Sequence, residues 1–466
     1  MRVAVLGAGV AGLVAAYRLT EQGHEPVVFE RWPGLGGMAA TLDVGGGHLL
    51  ERYYHHWFTS DRHIVDLCEE LGVGPIEWRP SSMAFFVDGK SRAFTTPLDL
   101  LRFTPLSLRD RIRMGVAVLK LQRAGRPTSD YEGETAAAWI RREMGEGPWQ
   151  KVWGPLLRGK FGSRAEDISM AWLHGKLTLR RKLEGKEARK ELLGYPAPSF
   201  EPIWTELVKR IEAGGGQVRI DQPAARVSRE ADGTFVVTPA APGSFRKGHD
   251  PRDFDPAGEA ERFDAVIATV PNDIFLSLAD PSLGLADDFL EKLRTIEYHT
   301  ALCLLLELQS DKVLSPFYWT NVADTDVPFV GLIEHTNFLE PERYDGRRFL
   351  YVANYLEPGD ELLSLDPDQL VDRYLPHLQK VNPAFSRDWV VDRWMFREPA
   401  AQPIVIVGYH ETIPPLDTGI PGLVLANTTQ IYPEDRGTNY SVRLGEDAVK
   451  ALLSQPLAAR ETAPSA

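Results

Sequence analysis

The sequence predicts an α/β fold organised around a parallel sheet wound with helices, and three observations predict it. An apolar run, Val3-Ala4-Val5-Leu6, passes directly into Gly7-Ala8-Gly9-Val10-Ala11-Gly12 and then into a helix-forming stretch from Leu13 to Leu19. Pro26-Val27-Val28-Phe29 follows as a second strand, and it ends at an acid, Glu30, about 20 positions beyond the glycines. Strand, glycines, helix, strand and acid in that order make a dinucleotide site. Gly7 permits the tight turn, Gly9 lets a pyrophosphate approach the backbone, and Gly12 lets helix and strand pack closely. The amides of Val10 and Ala11 then face the phosphates at the helix N-terminus, and Glu30 accepts a ribose hydroxyl.

Composition bounds the rest of the chain. With 466 residues, 43% hydrophobic and 25% charged, it is too long for one compact unit and suits two interleaved domains. A net charge of -13 argues against nucleic acid as a partner, because phosphate neutralisation needs a basic face. Cys68 and Cys303 stand alone, without zinc spacing, and read as small buried hydrophobes in a reducing compartment. His48, His55 and His56 lack a carboxylate at ligand spacing, so no metal site is expected. The chain opens on its first strand with no basic and apolar leader, and no apolar run approaches about 18 residues. A cytoplasmic protein is the expectation, with a peripheral membrane contact left open by the helix near 106–123.

The segment Glu30-Arg31-Trp32-Pro33-Gly34-Leu35-Gly36-Gly37-Met38-Ala39-Ala40-Thr41 resembles the extended FAD fingerprint of the amine oxidase, protoporphyrinogen oxidase and phytoene desaturase superfamily. The resemblance implies a Rossmann-type, GR2-like FAD-binding domain interleaved with an α+β substrate domain and a helical cap. It also implies non-covalent FAD running beside Gly36, Gly37 and Met38. Many members carry an Arg directly after the Gly-Gly pair and another two residues after the acid. Here those positions hold Met38 and Trp32, so Arg31 is the candidate replacement.

The elements that follow can be justified in order. Residues 61–72 read as a helix with Asp61 at its cap, and residues 83–94 as a hairpin about Asp88-Gly89-Lys90. From Leu106 to Arg123 a helical pattern sets Arg109, Arg111, Arg113, Lys120 and Arg123 among Leu108, Ile112, Val116, Leu119 and Leu121. It reads either as an amphipathic helix packed on the cap or as a membrane-surface helix, the role this region has in some protoporphyrinogen oxidase relatives. Lys151 to Leu173 resembles the superfamily's helical substrate segment, and Gly194-Tyr195-Pro196 opens a return towards the cofactor domain. Beyond a helix over 206–212, the strand Val218-Arg219-Ile220 and then Ala225-Arg226-Val227 bring Val227 against the adenine side of FAD in relatives. Strands at 234–238 and 263–268 flank a polar loop, Pro242 to Glu261, and the second leads to Thr269, in the strand-to-turn element beneath the FAD sheet. Strands at 298–308 and 349–355 belong to a substrate domain.

The C-terminal quarter completes the resemblance. Arg393-Trp394, Pro399 and Gly408-Tyr409 lead to Leu423-Val424-Leu425-Ala426-Asn427-Thr428 and then to Thr438-Asn439-Tyr440, where a helix begins. In relatives the strand that here ends at Ala426-Asn427-Thr428 contacts the pyrophosphate and ribityl chain, and the helix points its N-terminus at the flavin N1 and C2 carbonyl. Asn427-Thr428 replaces the usual Gly-Asp pair. The implied division assigns 1–80, 196–285 and 411–453 to the FAD-binding domain, 81–195 and 286–410 to the substrate and helical domains, and 454–466 to a tail.

After the Gly-Gly pair, the chain in relatives passes over the flavin, which places Gly45-Gly46-Gly47-His48 and Tyr53-Tyr54-His55-His56 near it. Tyr54, His55 and His56 are the catalytic candidates, since histidines titrate near neutrality and aromatic rings stack on a flat cofactor. The expected function is an FAD-dependent oxidase or desaturase passing a hydride from an apolar or amine-bearing small molecule to flavin N5. One alternative is a UDP-galactopyranose mutase-like isomerase using His48, with Arg158, Arg164, Arg180 and Arg181 as loose diphosphate candidates. The other is a non-catalytic FAD-binding redox sensor.

Overall fold

The protein is described here from a computed structural model that places residues 1–178, 192–241 and 256–456. Most of the loop expected over 242–261, most of the tail, and Arg180 and Arg181 lie outside the described residues. Strand β1 (Arg2–Leu6), helix α1 (Val10–Glu21) and strand β2 (Glu25–Phe29) form the opening unit. β1 is central in a five-stranded parallel sheet whose order is Gln217–Arg219, β2, β1, Ala265–Ala268, Leu423–Leu425. Its strands are apolar because both faces of a parallel sheet are covered: α1 and the helices Glu201–Ala213 and Thr438–Ser454 pack on one, and the strands Ala224–Arg229 and Phe235–Pro239 with the helix Asn272–Leu278 on the other. The helix Thr438–Ser454 lies on α1 so closely that a Cβ on Gly445 would stand 2.5 Å from the Ala11 carbonyl oxygen.

A seven-stranded sheet forms the second half, in the order Val390–Pro403, Tyr298–Leu308, Arg348–Leu356, Gly331–Glu334, Trp319–Val322, Met83–Val87, Lys90–Ala93. Strand 298–308 is buried on both faces after its first residue. Period-2 alternation explains its leucine run: Ala301, Cys303 and Leu305 join the core shared with the parallel sheet, while Leu302, Leu304 and Leu306 pack towards the helix Pro367–Val381. The Met83–Val87 and Lys90–Ala93 hairpin turns on Asp88 and Gly89, both with positive φ, the geometry a two-residue turn needs. The strand Leu192–Pro196 pairs with 57–58 and 76–80 in a small third sheet rather than leading straight back to the parallel one.

Helices between 97 and 178 form the third layer. Leu108–Arg123 is capped by Ser107, whose hydroxyl accepts from the Asp110 amide at 3.1 Å. Its core face is Met114, Ala117 and Leu121, whereas Leu108, Ile112, Val116 and Leu119 are exposed. Packing on the cap therefore accounts for one of the five apolar residues in the sequence pattern and leaves the other four facing outward. Among the described residues, no helix is long and apolar enough to cross a membrane.

Candidate functional site

The glycine turn is built as the motif requires. Gly7 has a φ of +100°, its amide donates to the Phe29 carbonyl at 2.8 Å, and a Cβ on Gly12 would stand only 1.9 Å from the Gly7 carbonyl oxygen. Thr269 staples this turn from the neighbouring strand, its hydroxyl donating to the Leu6 carbonyl at 2.8 Å. Gly9 occupies the N-cap of α1 with no side chain accepting from the first turn, so the leading amides of Val10, Ala11 and Gly12 stay available to an anion. Glu30 is buried at the end of β2, accepting from the amides of Ala8 at 2.7 Å and Trp32 at 2.8 Å. Burial is the dominant effect and raises its carboxyl above the usual carboxylate value, against those two amides and the nearby Arg31 and Arg52.

The second strip of the site runs antiparallel to intuition for so polar a cofactor: it is nearly all backbone. The Gly36 amide donates to the Ala8 carbonyl at 2.9 Å, and Gly37 crosses Gly9 closely enough that a Cβ on Gly37 would meet the Gly9 Cα at 3.0 Å. Gly36 has positive φ and faces Trp204, whose ring nitrogen would be 2.6 Å from an added Cβ. Two arginines that sequence reasoning missed stand where Met38 and Trp32 replace the family's arginines. Arg52 lies over the Trp32 ring at 4.6 Å and donates to the Gly37 carbonyl at 2.7 Å, while its buried Nε has no hydrogen-bond partner among the described residues. Arg436 reaches Met38 from the other end of the chain, with Nη1 3.7 Å from Sδ. Arg31 lies close enough to Glu30 and Arg52 for its charge to be felt by both. Arg436 directly precedes the recognisable Gly437-Thr438-Asn439 start of the last helix, so adjacency was the available signal; nothing marked Arg52.

The last helix also begins uncapped, at Gly437. The side chains of Thr438 and Asn439 are used internally: Trp57 donates to the Thr438 hydroxyl at 2.8 Å, and the Ile64 amide donates to Asn439 Oδ1 at 3.2 Å. The backbone N–H groups of Thr438, Asn439 and Tyr440, at the open helix start, face no side-chain cap and can receive a ligand. Asn427 is likewise committed, donating to the Val270 carbonyl at 3.0 Å and accepting from the Thr429 amide at 3.1 Å, with Thr428 half-buried beside it. Val227 is fully buried, its carbonyl accepting from the Asp280 amide at 2.9 Å. Two uncapped helix N-termini, the crossed glycines and the unpartnered Arg52 Nε together fit a long, anionic, flat cofactor.

A cavity opens beside this strip. Met38 forms one wall, Tyr53, Tyr54 and His55 another, and strands 298–308 and 348–356 a third through Cys303, Tyr355 and their neighbours, with Arg436 at its margin. Arg436 donates to Tyr355 Oη at 3.0 Å and to Gln402 Oε1 at 3.0 Å, and among the described residues no carboxylate pairs with it. Tyr54 shares a hydrogen bond with Tyr355, and burial holds its phenol well above the usual range. His55 Nδ1 lies 2.6 Å from the Tyr53 carbonyl oxygen; a carbonyl only accepts, so Nδ1 carries the proton and Nε2 is the acceptor. Burial lowers His55 to about 4, so the expected titration near neutrality gives way to a ring that stays neutral.

His56 does not line the cavity. It packs against Phe58, Tyr318 and Trp319, with Nδ1 3.2 Å from the Tyr318 hydroxyl. His48 is not among the residues that line the cavity either; its Nε2 lies 2.8 Å from the Asp345 carboxylate. Next to Arg436 in the chain, half-buried Asp435 takes salt bridges from Lys160 at 2.7 Å and Lys176 at 2.8 Å. Burial opposes its ionisation, but the two lysines outweigh it and hold the carboxyl far below the usual range.

Comparison with known proteins agrees with this geometry. The profile of the family described as flavin containing amine oxidoreductase matches residues 10–434. The 15-cis-phytoene desaturase of Narcissus pseudonarcissus is 23% identical over 402 residues, covering 82% of this chain and 66% of its own length. The chain thus spans about two thirds, or less, of the curated relatives it matches. Among solved structures, reduced UDP-galactopyranose mutase superposes with a TM-score of 0.72 at 16% identity, over 97% of this chain and 95% of that one. An oxidoreductase from Methanosarcina mazei gives 0.70 at 18% identity, over 98% and 100%.

Proposed function

The chain belongs to the flavin-containing amine oxidoreductase family, with FAD as its cofactor, and we propose that it is an oxidoreductase taking a hydride from an apolar or amine-bearing small molecule. The observation that carries this reading is the cavity bounded by Met38 of the glycine strip on one side and the long strands of the second sheet on the other. Bound FAD supplies the hydride acceptor. The chain's own part is to hold and to shape. The glycines and both helix N-termini receive the phosphates and the flavin edge, and Arg52 adds a half-buried positive charge beside Gly37. Tyr54, Met38 and Cys303 supply apolar contact for the substrate in a wall that also carries the polar groups of His55, Asn354 and Tyr355. His55 Nε2 accepts a hydrogen bond from substrate without drawing a proton away, because a ring lowered to about 4 is a weak base. Such a site suits hydride loss, which needs alignment more than acid or base strength.

Arg436 supports a second reading. An uncompensated guanidinium at the cavity margin favours an anionic group, as a sugar nucleotide would bring. Anaerobic titration of the yellow protein distinguishes the two. Bleaching of the flavin by a polyene, porphyrinogen or amine supports oxidation. Conversion of a UDP-sugar only after dithionite reduction, with no bleaching by the other compounds, overturns it in favour of isomerisation.

A further inference from the structure

We propose that Arg436, with the hydroxyls of Tyr54 and Tyr355, forms a subsite for a carboxylate on the substrate, so that the substrate is a small organic acid. This rests on the reading above that the cavity receives the substrate. Among the described residues that line the cavity, Arg436 alone carries a fixed charge, since the His55 ring stays neutral. Its half-buried guanidinium is met by neutral groups. Nε donates to Gln402 Oε1 at 3.0 Å, Nη2 donates to Tyr355 Oη at 3.0 Å, and Nη1 lies 3.7 Å from Met38 Sδ, a weak acceptor. Nη1 and Nη2 each keep a second hydrogen beyond those contacts.

The two tyrosines supply a further donor, which follows from counting their hydrogens. A guanidinium only donates, so the bond from Arg436 occupies an oxygen lone pair of Tyr355 and consumes no hydroxyl hydrogen. The bond between Tyr54 and Tyr355 consumes one hydroxyl hydrogen, whichever ring donates it. The other hydroxyl hydrogen of the pair has no partner among the described residues, and both rings line the cavity. Spare N–H and O–H groups therefore gather beside one cation.

Charge and surroundings choose the ligand. A guanidinium partly withdrawn from water gains by acquiring a counter-ion, and hydrogen bonds to an ionised acceptor are roughly twice as strong as neutral ones. A diphosphate would bring more than one charge to a wall with a single cation, because Lys160 and Lys176 are engaged by Asp435. A carboxylate brings one charge, and the hydrocarbon body attached to it suits the neighbouring Ala301, Leu302 and Ala353. Holding that carboxylate fixes which carbon of the acid faces the cofactor strip at Met38, the alignment on which hydride loss depends.

The test follows flavin absorption of the FAD-loaded full chain as benzoate, or the neutral benzamide of the same shape, is added. Saturable perturbation by benzoate, at least about tenfold tighter than by benzamide, is the expected result. Arg436→Gln should erase that preference, and Tyr54→Phe combined with Tyr355→Phe should weaken benzoate by about tenfold. Equal affinity for benzoate and benzamide, or no perturbation by benzoate, overturns the proposal on the wild-type protein alone, whether or not the variants fold. Tighter binding of inorganic pyrophosphate than of benzoate also overturns it and returns the subsite to a diphosphate. So does an Arg436→Gln protein that keeps the benzoate preference but shifts the flavin reduction potential, which would assign the guanidinium to the cofactor. Benzoate binding needs no turnover, so a protein that binds it through Arg436 yet is bleached by no candidate substrate keeps the subsite and loses the oxidation reading.

Discussion

The two large sheets of this protein share one buried core but are held to their tasks differently. In the parallel sheet the strands are three to five residues long and the contacts that matter are made by backbone: crossed glycines, uncapped helix starts and a turn with no room for a Cβ. In the mixed seven-stranded sheet the strands reach 11 and 14 residues, and the cavity wall is whatever side chain the period-2 register happens to point inward. A ligand gripped by backbone constrains which residues are allowed to be absent of side chain. A ligand bounded by side chains leaves many solutions, so the second sheet is free to change substrate while the first keeps its cofactor.

The largest effect should come from Gly12→Ala. Its Cβ would overlap the Gly7 carbonyl oxygen, and the close helix–strand packing cannot absorb it; loss of soluble protein is the expected outcome, and a normally melting variant would contradict it. Leu304→Ala in the other sheet removes a fully buried side chain and should cost about 2–5 kcal/mol in denaturant unfolding, with flavin affinity of the folded fraction unchanged. Gly9→Val separates fold from ligand. A Cβ there is 3.9 Å from Gly37 Cα, so the flavin-free melting temperature should barely move while the purified protein loses its yellow colour.

Glu51 sits where the halves join, accepting from the Tyr195 hydroxyl at 2.6 Å and the Phe200 amide at 2.9 Å, with its own carbonyl accepting from Tyr351 at 2.7 Å. Burial raises its carboxyl to about 7 from an ordinary 4.5. Between those values the folded chain holds a proton that the unfolded chain has released, so this group's contribution to stability falls as pH rises through that window and is level below it. Glu51→Gln should flatten the melting temperature against pH there; an unaltered slope would show that Glu51 ionises freely in the fold. The smallest effect belongs to His55→Gln. An amide also accepts a hydrogen bond, so anaerobic flavin reduction should slow by less than about tenfold and stay flat from neutral pH upward. A loss of several orders of magnitude would make His55 a proton acceptor after all.

This contrast also explains what could be read from the sequence. The glycines, Glu30 and the start of the last helix were legible because a tight turn or a bare helix end admits few residue types. The strands at 298–308 and 349–355 were legible as strands, but not which of Ala301, Leu302 or Cys303 would face the cavity, because a run buried on both faces carries no alternation to read. Arg52 and Arg436 escaped because their guanidiniums arrive from elsewhere in the chain, and spacing along one segment says nothing about that. The helix over 108–123 failed differently. Its apolar residues suggested one face, and only the fold shows them divided between two.

The order of the parallel sheet has a consequence for biosynthesis. β1 is flanked by strands from 25–29 and 265–268, and the second helix start at the cofactor strip comes from 438. At a translation rate of about 5–20 residues per second, roughly tens of seconds separate emergence of the first glycine turn from emergence of its last partner. Throughout that interval the nascent chain exposes an incomplete sheet edge and cannot trap flavin between its two helix ends. Capture of the coenzyme is thereby reserved for chains that have been read through to the final helix, and the yellow colour of a preparation doubles as a census of completed synthesis.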